Sequence, residues 1–599
     1  MNTEKIKTRA EVAVEDTWDL SVLFPSDDDW RTAFEKIPAL GDSLAAYRGR
    51  LSDSADILLS FLKASDAADL SLEAIAQYAS RKSDEDTANA KYADMRGKVQ
   101  SAFAEYGSKL SFVSPELLAI PDERLDGFYE ACPALSEYRR YLDTLRRRRA
   151  HILSDAEERI LAASAELASA PENIYSMLQN ADLRFPDVTD GDGVAHPLTA
   201  GSYITLMHSP DRVLRENTFR SFYAVFDAVK NTCAAALDAQ VRALMFKARL
   251  RNYPDTLTAS LDRTEVPIEV YKNLIETVRG HMDAMHRYLA VRQKKMGLDT
   301  LHMYDIYTPI VSESDRCISF AEAKETVLEA LAPLGEDYLS ILRGGFQSRW
   351  IDVYENVGKR GGAYSSGARP HPYVLLNHKD TLDGEFTLAH EMGHALHSYL
   401  SAKHQPYVNS DYVIFVAEVA STCNEVLLMK HLLSKTTDKK ERAYLINYFL
   451  EQFRTTLYRQ TMFAEFEWEI NRRAEAGESL TAELLSEIYY DLNRIYYGEH
   501  MEIDREIALE WSRVSHFYYN FYVFQYATGF SAAVALAQRI LSEGAPAVSD
   551  YLAFLSSGSA ADPITLLQRA GVDMTAPTPI VSALSLFDEL ITEFDTLLS

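Results

Sequence analysis

Apolar residues recur along this chain mainly three and four positions apart, which is the periodicity of an α-helix. The pattern is clear over residues 266–291, where the recurring apolar positions are Val266, Ile268, Val270, Leu274, Ile275, Val278, Met282, Met285 and Leu289. Pro267 falls at the start of this range, where a helix tolerates proline. The sequence therefore predicts a mainly α fold with one helix over residues 266–291.

The plainest break in the helical pattern is the segment 185–201, which is rich in Asp, Gly and Pro. We take it as the boundary between an N-terminal helical lobe, residues 1–200, and residues 201–599, which hold the candidate chemistry. A chain of 599 residues can bury a large core, and this length favours two lobes over one compact domain. Asp190-Gly191-Asp192-Gly193 is typical of a tight hairpin turn, because the other ligands of a calcium-binding EF-hand are missing.

A largely apolar helix is also predicted to run from an N-cap at Thr381 or Asp383 to about Leu400. Its apolar residues are Phe386, Leu388, Ala389, Met392, Ala395, Leu396 and Tyr399. His390 and His394 lie four residues apart on one face of this helix, so both imidazoles can bind one zinc ion. A metal also compensates the cost of burying them.

Glu391 and Gly393 complete the motif His390-Glu391-Met392-Gly393-His394. Glu391 is placed to act as the general base toward a water that the zinc ion activates. Gly393 weakens a helix but lets another backbone, or a substrate, approach closely.

A catalytic zinc site needs a third protein ligand and an open fourth position. The metzincin pattern is excluded, because His397 stands where its Gly belongs and Leu400 where its third His belongs. The next predicted helix, residues 412–430, is interrupted by Glu418 and Glu425, which share a face. We interpret Glu418 as the third ligand and Glu425 as a carboxylate that orients a ligand imidazole, the alternative being that Glu425 lies at a helix surface. His397 is predicted to be a structural neighbour, since a fourth protein ligand would close the site to water.

Composition narrows the class of protein. The formal net charge of -27 argues against nucleic-acid binding, and the cluster RRRR at 146–149 is interpreted as a solvated helix face. Four distant cysteines without a C-x-x-C pair argue against a disulfide scaffold and against a thiolate zinc site. A charged N-terminus without an apolar core, and no membrane-length apolar run, predict a cytoplasmic protein.

The C-terminal region adds a group of hydrogen-bond donors. In a helical projection His516, Tyr519, Tyr522 and Tyr526 fall within one broad stripe. Imidazole and phenol groups can donate to the oxyanion of a tetrahedral intermediate. The alternative is an ordinary core stripe, although a buried Tyr hydroxyl needs a partner.

Several segments together resemble the oligoendopeptidase F branch of the thimet-oligopeptidase-like zinc metallopeptidases. They are Trp18-Asp19-Leu20 with Leu23-Phe24-Pro25-Ser26, HMYDIYTPIV at 302–311, SDYVIFVAEVASTCNE at 410–425 behind the H-E-x-x-H motif, and SHFYYNFYVFQYATGFSAA at 515–533. The resemblance implies one Zn²⁺ per chain, Glu418 as its third ligand, and a His and a Tyr of the C-terminal stripe at the active site. It also implies two helical lobes around a deep substrate channel that admits oligopeptides but not folded proteins.

A small β element precedes the zinc helix. Gly361-Gly362-Ala363-Tyr364 predicts a turn, and the apolar run 373–377 predicts a strand that leads into the helix. Metallopeptidases commonly bind a substrate as an added strand on such an edge, and the resemblance implies the same, so Gly362, Ala363 and Tyr364 are predicted to bind substrate. The alternative is an ordinary buried strand.

These features predict a zinc-dependent endopeptidase that hydrolyses internal bonds of oligopeptides. A dipeptidyl carboxypeptidase-like exopeptidase is the first alternative, and a C-terminally amidated peptide would distinguish the two because an endopeptidase still cuts it. A non-catalytic, zinc-containing peptide-binding protein is the second, and the intact Glu391 counts against it, because a structural site needs no general base. The oligomeric state is open, and a monomer is compatible with the sequence.

Overall fold

The computed structural model of the protein describes residues 6–311 and 317–599, and most of them are helical. The α-helices up to residue 261 are α1 (Asp27–Phe34), α2 (Ile37–Ala45), α3 (Ala55–Glu85), α4 (Ala90–Lys109), α5 (Val113–Ala119), α6 (Asp122–Ala131), α7 (Arg139–Arg147), α8 (Asp155–Ala163), α9 (Ala165–Met177), α10 (Tyr203–Met207), α11 (Arg212–Leu250) and α12 (Thr256–Leu261). The later ones are α13 (Ile268–Arg279), α14 (Met282–Met296), α15 (Phe320–Ala330), α16 (Glu336–Gln347), α17 (Leu382–His404), α18 (Ile414–Lys435), α19 (Lys439–Gln452), α20 (Arg459–Glu475), α21 (Ala482–Tyr497), α22 (Phe524–Glu543), α23 (Ala545–Leu555), α24 (Pro563–Arg569) and α25 (Thr578–Leu597). The prediction of a mainly α fold is confirmed.

The strands are short and form small sheets. They are β1 (Val188–Thr189), β2 (Ala195–His196), β3 (Leu301–His302), β4 (Ile351–Asp352), β5 (Tyr364–Ser366), β6 (Tyr373–Leu375) and β7 (Met501–Glu502). β1 and β2 pair as an antiparallel hairpin, and β3 pairs with β7 in parallel. The largest sheet has the order β4-β6-β5, with β6 parallel to β4 and antiparallel to β5.

The chain forms two compact units, each assembled from three segments. The first unit contains residues 1–149, 316–428 and 536–571, and the second contains residues 150–315, 429–535 and 572–599. The boundary predicted at residue 200 falls inside the second unit, just after the β1–β2 hairpin. Asp190 holds the turn of that hairpin by accepting hydrogen bonds from the backbone of Asp192 and Val194, which confirms the predicted hairpin.

The prediction of one helix over residues 266–291 is wrong, because α13 ends at Arg279 and α14 begins at Met282. His281 interrupts the helical path with φ -127° and ψ 34°, and its ring nitrogen Nδ1 is 2.8 Å from the carbonyl oxygen of Thr277. The apolar periodicity continues across the break because Val278, Met282 and Met285 are all buried. Pro267 is the N-cap of α13, as expected near a helix start.

The elements around the metal motif belong to the first unit. α17 packs against β5, β6 and α16, and β6 is buried along its whole length. Within the described ranges, no helix combines the length and the apolar character needed to cross a membrane.

Candidate metal centre

The metal motif lies on α17, whose start is set by a side-chain cap. The hydroxyl of Thr381 accepts a hydrogen bond from the backbone N–H of Gly384 at 3.2 Å, which satisfies a donor that the first turn leaves free. One face of α17 is packed in the interior, as its apolar sequence predicts. His390 and His394 follow each other by one turn, and their Nε2 atoms are 3.1 Å apart.

Glu418 on α18 completes a three-residue cluster. Its Oε2 atom is 3.4 Å from Nε2 of His390 and 3.4 Å from Nε2 of His394. Ser421 steadies the carboxylate, because its hydroxyl donates to the same oxygen at 3.1 Å. Among the described residues this is the one group of three or more His, Cys, Asp or Glu side chains that could hold a metal ion, with ligand atoms within 4.8 Å of one another.

The close approach of α17 and α18 depends on Gly393. A Cβ atom at this position would lie 2.6 Å from Cα of Ser421 and 2.8 Å from the carbonyl oxygen of Ala420. Asn424 fixes the same contact, because its amide donates to the carbonyl of Ala389 at 3.1 Å and its Oδ1 accepts from the hydroxyl of Tyr338. Gly393 therefore admits another backbone, as its place in the motif suggested.

Glu425 contacts the outer side of a ligand imidazole. Nδ1 of His390 donates to Oε1 of Glu425 at 2.6 Å, so that in the neutral ring the lone pair is on Nε2, the atom in the cluster. Glu425 is also largely buried, so the alternative of an exposed glutamate at a helix surface does not describe its surroundings.

Glu391 is buried beside the cluster, with only 7% of its surface exposed. Its Oε2 atom has no hydrogen-bond partner among the described residues. Burial raises the pKa of Glu391 above its usual range, against the opposing effect of the two histidines. A carboxyl group with a free oxygen next to the cluster is suited to exchange a proton with a bound molecule.

The imidazoles and the carboxylates of the cluster shift one another's pKa values. Burial lowers the pKa of His390, but the hydrogen bond to Glu425 and the neighbouring carboxylates outweigh burial and raise that pKa to about 9. Burial raises the pKa of Glu418, but the two imidazoles outweigh burial and lower it to about 2. Carboxylates gathered around two imidazoles make a site that attracts a cation.

The donor set and its spacing fit a zinc ion. Ligand atoms placed tetrahedrally at about 2.0–2.1 Å from zinc would be roughly 3.3–3.4 Å from one another. The observed separations of 3.1 and 3.4 Å agree with that spacing. Two imidazoles and one carboxylate are also the ligand types of a catalytic site that keeps one position open.

His397, three residues beyond His394 along α17, lies outside the cluster. It is fully buried, and its ring stacks on Tyr412 with centroids 3.7 Å apart and an interplanar angle of 4°. Burial lowers its pKa to about 3, so the ring is neutral. The prediction of a structural neighbour agrees with this packing.

The predicted substrate-binding turn leads into the edge strand β5. Tyr364 is the first residue of β5, and its side chain is tied to α3, where its hydroxyl donates to Asp84 at 2.6 Å. Gly362 and Ala363 precede the strand and line a cavity of about 410 Å³ that also reaches Thr387 on α17. Among the described residues β5 pairs with β6 alone, so its second edge carries no strand.

The strand predicted over residues 373–377 is not the edge to which a substrate strand could add. The run that begins at Tyr373 forms β6, which is the central strand of its sheet and is buried on both faces. It cannot offer an edge to a peptide, because its neighbours β4 and β5 occupy both sides. The edge belongs to β5, and the choice depends on sheet order, which the apolar pattern of a single strand does not contain.

The predicted donors His516, Tyr522 and Tyr526 lie in the second unit. The helical projection that grouped them is wrong, because His516 is in a 3₁₀ turn over Ser515–Tyr518, Tyr522 is in the connection before α22, and Tyr526 is on α22. Their rings still form a group, which we call the aromatic cluster. The Tyr526 hydroxyl is 3.4 Å from Nε2 of His516, and the centroids of His516 and Tyr522 are 6.0 Å apart.

The aromatic cluster is only partly buried, unlike an ordinary core stripe. Burial and the positive charge of Arg459 lower the pKa of His516, which favours the neutral imidazole. Tyr519, the fourth member of the predicted stripe, is 48% exposed and turns its ring edge toward His516.

Two supporting residues were not anticipated from the sequence. Ser421 and Asn424 lie between Glu418 and Glu425 on α18. Ser421 donates to the Glu418 carboxylate on the same helix, and Asn424 donates to the Ala389 carbonyl on α17. The sequence did contain a signal for both residues, since each is a polar residue in a largely apolar helix. A polar residue in such a helix must find a buried partner.

This chain is similar to known proteins along nearly its whole length. Residues 205–586 match the sequence model of Peptidase family M3, and residues 116–185 match that of Oligopeptidase F. Oligopeptidase PepF of Bacillus subtilis (strain 168) is 45% identical over 595 residues, which span 99% of this chain and 89% of that protein. Group B oligopeptidase PepB of Streptococcus agalactiae serotype III (strain NEM316) is 39% identical over 583 residues, 97% of each chain.

Solved structures show the same fold. The crystal structure of oligoendopeptidase-F from Enterococcus faecium has a TM-score of 0.75 at 36% identity and covers 95% of this chain and 99% of its own. A crystal structure from Chlamydophila abortus has a TM-score of 0.91 at 33% identity, covering 99% of this chain and 100% of that one.

Proposed function

This chain belongs to peptidase family M3 and is a metalloendopeptidase, and we propose that it hydrolyses internal bonds of short oligopeptides with one bound Zn²⁺. The convergence of Nε2 of His390, Nε2 of His394 and Oε2 of Glu418 carries this proposal. Zinc held by these three residues would supply a Lewis acid that activates a water and polarises a carbonyl oxygen.

Glu391 acts as the general base and then as the general acid. Its free Oε2 accepts a proton from the attacking water, and the same carboxyl group delivers that proton to the leaving amine. Burial keeps bulk water away from this carboxyl group, so the proton is exchanged with the bound substrate rather than with solvent.

His516 and the two tyrosines of the aromatic cluster stabilise the oxyanion. A neutral imidazole and a phenol are hydrogen-bond donors, and such donors act most strongly as negative charge develops on the carbonyl oxygen. The Tyr526 hydroxyl lies 3.4 Å from Nε2 of His516, which keeps the phenol and the imidazole side by side.

The substrate is proposed to add to β5 as an extended strand. Tyr364 begins β5, whose second edge carries no strand among the described residues, and Gly362 and Ala363 lead into it. Main-chain hydrogen bonds at this edge would hold a peptide irrespective of its sequence. The Tyr364 side chain is bound to α3, so its main chain rather than its ring is available. The restriction to oligopeptides follows the relatives, which are named oligopeptidases and oligoendopeptidases.

The proposed location is the cytoplasm. All four cysteines are free, as expected for a protein in a reducing compartment. A net charge of -27 agrees with peptide rather than nucleic-acid partners.

The test is Glu391→Gln, compared with wild type in zinc content and in cleavage of an internally quenched peptide. The amide keeps the shape of the side chain but accepts no proton, so activity should fall at least ~100-fold while zinc stays bound. Lys403→Gln, an exposed change in the last turn of the same helix, is the matched control and should retain activity. More than a few per cent of residual activity, or full activity in protein freed of metal, would refute the mechanism.

A further inference from the structure

Asn520 and Phe521 are consecutive residues in the left-handed backbone region, with φ values of 54° and 60°. L-residues other than glycine rarely adopt this conformation, and a bulky aromatic residue does so least readily. Such a turn persists only where the surrounding structure holds it, and such turns concentrate at functional sites. This turn lies between the 3₁₀ segment that carries His516 and the helix that carries Tyr526.

Two buried polar side chains hold the turn from two helices. Glu467 on α20 is 2% exposed, and its Oε1 accepts the backbone N–H of Phe521 at 2.5 Å. Gln240 on α11 is 8% exposed, and its amide donates to the carbonyl of Tyr518 at 2.8 Å and to Oδ1 of Asn520 at 3.1 Å. Each residue of the left-handed pair therefore has its own hydrogen bond to a helix.

The turn also decides how the aromatic cluster is assembled. His516 precedes it and Tyr522 follows it directly, and their rings lie at an interplanar angle of 24°. The Tyr526 hydroxyl is 3.4 Å from the ring of His516. Because the turn is the chain segment that joins these residues, an extended path at Phe521 would move His516 away from both tyrosines.

Burying the carboxyl group of Glu467 costs free energy of folding. Its Oε2 atom has no hydrogen-bond partner among the described residues, and burial raises its pKa to about 8. An apolar side chain of similar size would avoid that cost but would leave the Phe521 amide without an acceptor. The need to bind that amide explains a carboxyl group at this position.

We propose that Glu467 and Gln240 are positioning residues for peptide hydrolysis, which hold the left-handed turn so that the aromatic cluster keeps the arrangement needed at the oxyanion. This inference rests on the proposed function of the aromatic cluster. Neither residue needs to touch the substrate, since both act on the backbone of the turn.

The test compares Glu467→Ala and Gln240→Ala with the control Glu469→Ala, a change on the same helix whose side chain binds Arg472 and Arg473 instead. Both test variants should lower kcat by at least about tenfold with KM within about threefold, because donors misplaced at the oxyanion weaken the transition state more than substrate binding. Bound zinc should stay at the wild-type level. Glu467→Gln should restore kcat, since the amide oxygen still accepts the Phe521 N–H.

Hydrogen exchange gives a direct readout of the turn. The peptide that covers residues 515–526 should exchange faster in Glu467→Ala than in wild type, and should be unchanged in Glu469→Ala. The inference is overturned if the two test variants keep kcat at the level of the control, or if the loss appears in KM alone. If Glu467→Ala does not fold, the kcat, KM and hydrogen exchange of Gln240→Ala and Glu467→Gln test the inference instead.

Two further variants separate this inference from the proposed function. His516→Ala and Tyr526→Phe should each lower kcat if the aromatic cluster stabilises the oxyanion. If both keep wild-type kcat, the proposed role of the cluster fails. If both lose kcat while Glu467→Ala and Gln240→Ala do not, only the inference about the turn fails.

Discussion

Nδ1 of His390 lies 2.6 Å from Oε1 of Glu425, with the imidazole donating and the carboxylate accepting. In the neutral imidazole this hydrogen bond keeps the proton on Nδ1 and leaves the lone pair on Nε2. Nε2 is the atom that faces both His394 and Glu418. α18 thus supplies one candidate ligand, Glu418, and orients another, His390, through Glu425.

The first prediction ranks the two glutamates of α18 by metal binding. Glu418→Ala removes a ligand and should lose zinc on dialysis, whereas Glu425→Ala should weaken zinc affinity by only ~10–100-fold. Glu425→Gln should be milder still, because its oxygen can accept the same hydrogen bond. Metal analysis after dialysis against graded chelator gives the order, and the reverse order would mean that the ligand has been misassigned.

The second prediction concerns the contact between the two metal helices. Gly393→Ala places a Cβ atom 2.6 Å from the backbone of Ser421, so the helices must separate and carry Glu418 away from the histidines. Zinc affinity and thermal stability should both fall. Gly344→Ala on α16 is the control, because nothing lies within 4 Å of its added Cβ, and it should gain roughly 0.5–1 kcal/mol. A Gly393→Ala protein with wild-type zinc affinity would show that the close approach is not needed.

The third prediction is a pH dependence of stability that comes from Glu467. Its pKa is about 8 in the folded protein against 4.5 for an unperturbed glutamate, so the folded state binds more protons between these values. The contribution of Glu467 to stability is therefore complete below about pH 4.5 and is lost as the pH rises through 8, at up to about 1.4 kcal/mol per pH unit.

Glu467→Gln removes this dependence because an amide does not titrate. The thermal midpoint of wild type, compared with that of the variant, should fall steadily from about pH 5.5 to about pH 8.5. A constant difference between the two proteins over that range would show that Glu467 does not bind a proton on folding.

The fourth prediction tests the substrate class. One cleavable sequence is presented as a free peptide of about ten residues, which spans ~30–35 Å when extended, in a long unfolded protein, and in a loop of a folded domain. A peptide that must add to β5 as a strand needs a free backbone, so the free peptide should be cut fastest and the folded loop not at all. Cutting of the folded loop at a comparable rate would discard the oligopeptidase assignment while leaving the zinc chemistry intact.

The amino-acid sequence alone predicted the candidate ligand pair His390 and His394, the proposed general base Glu391 and the helix that bears them. Side chains four residues apart on a helix share a face whatever the rest of the fold does, so this part of the site is a local property. The spacing of Glu418 and Glu425 on the next helix was also local. It did not reveal which of them lies beside the two histidines. The family resemblance implied Glu418, and the close packing of Gly393 on Ser421 brings that residue to the histidines.

The tertiary structure alone decided the features that depend on contacts between distant parts of the chain. The break at His281, the central place of β6 and the turn at Phe521 left no periodic signal, because each is set by partners far away in sequence or by sheet order. The helical projection grouped His516 with Tyr526 although no single helix joins them, and the bond from Glu467 to Phe521 spans 54 residues. Local patterns predict elements, whereas the contacts among those elements follow from which buried polar groups can satisfy one another.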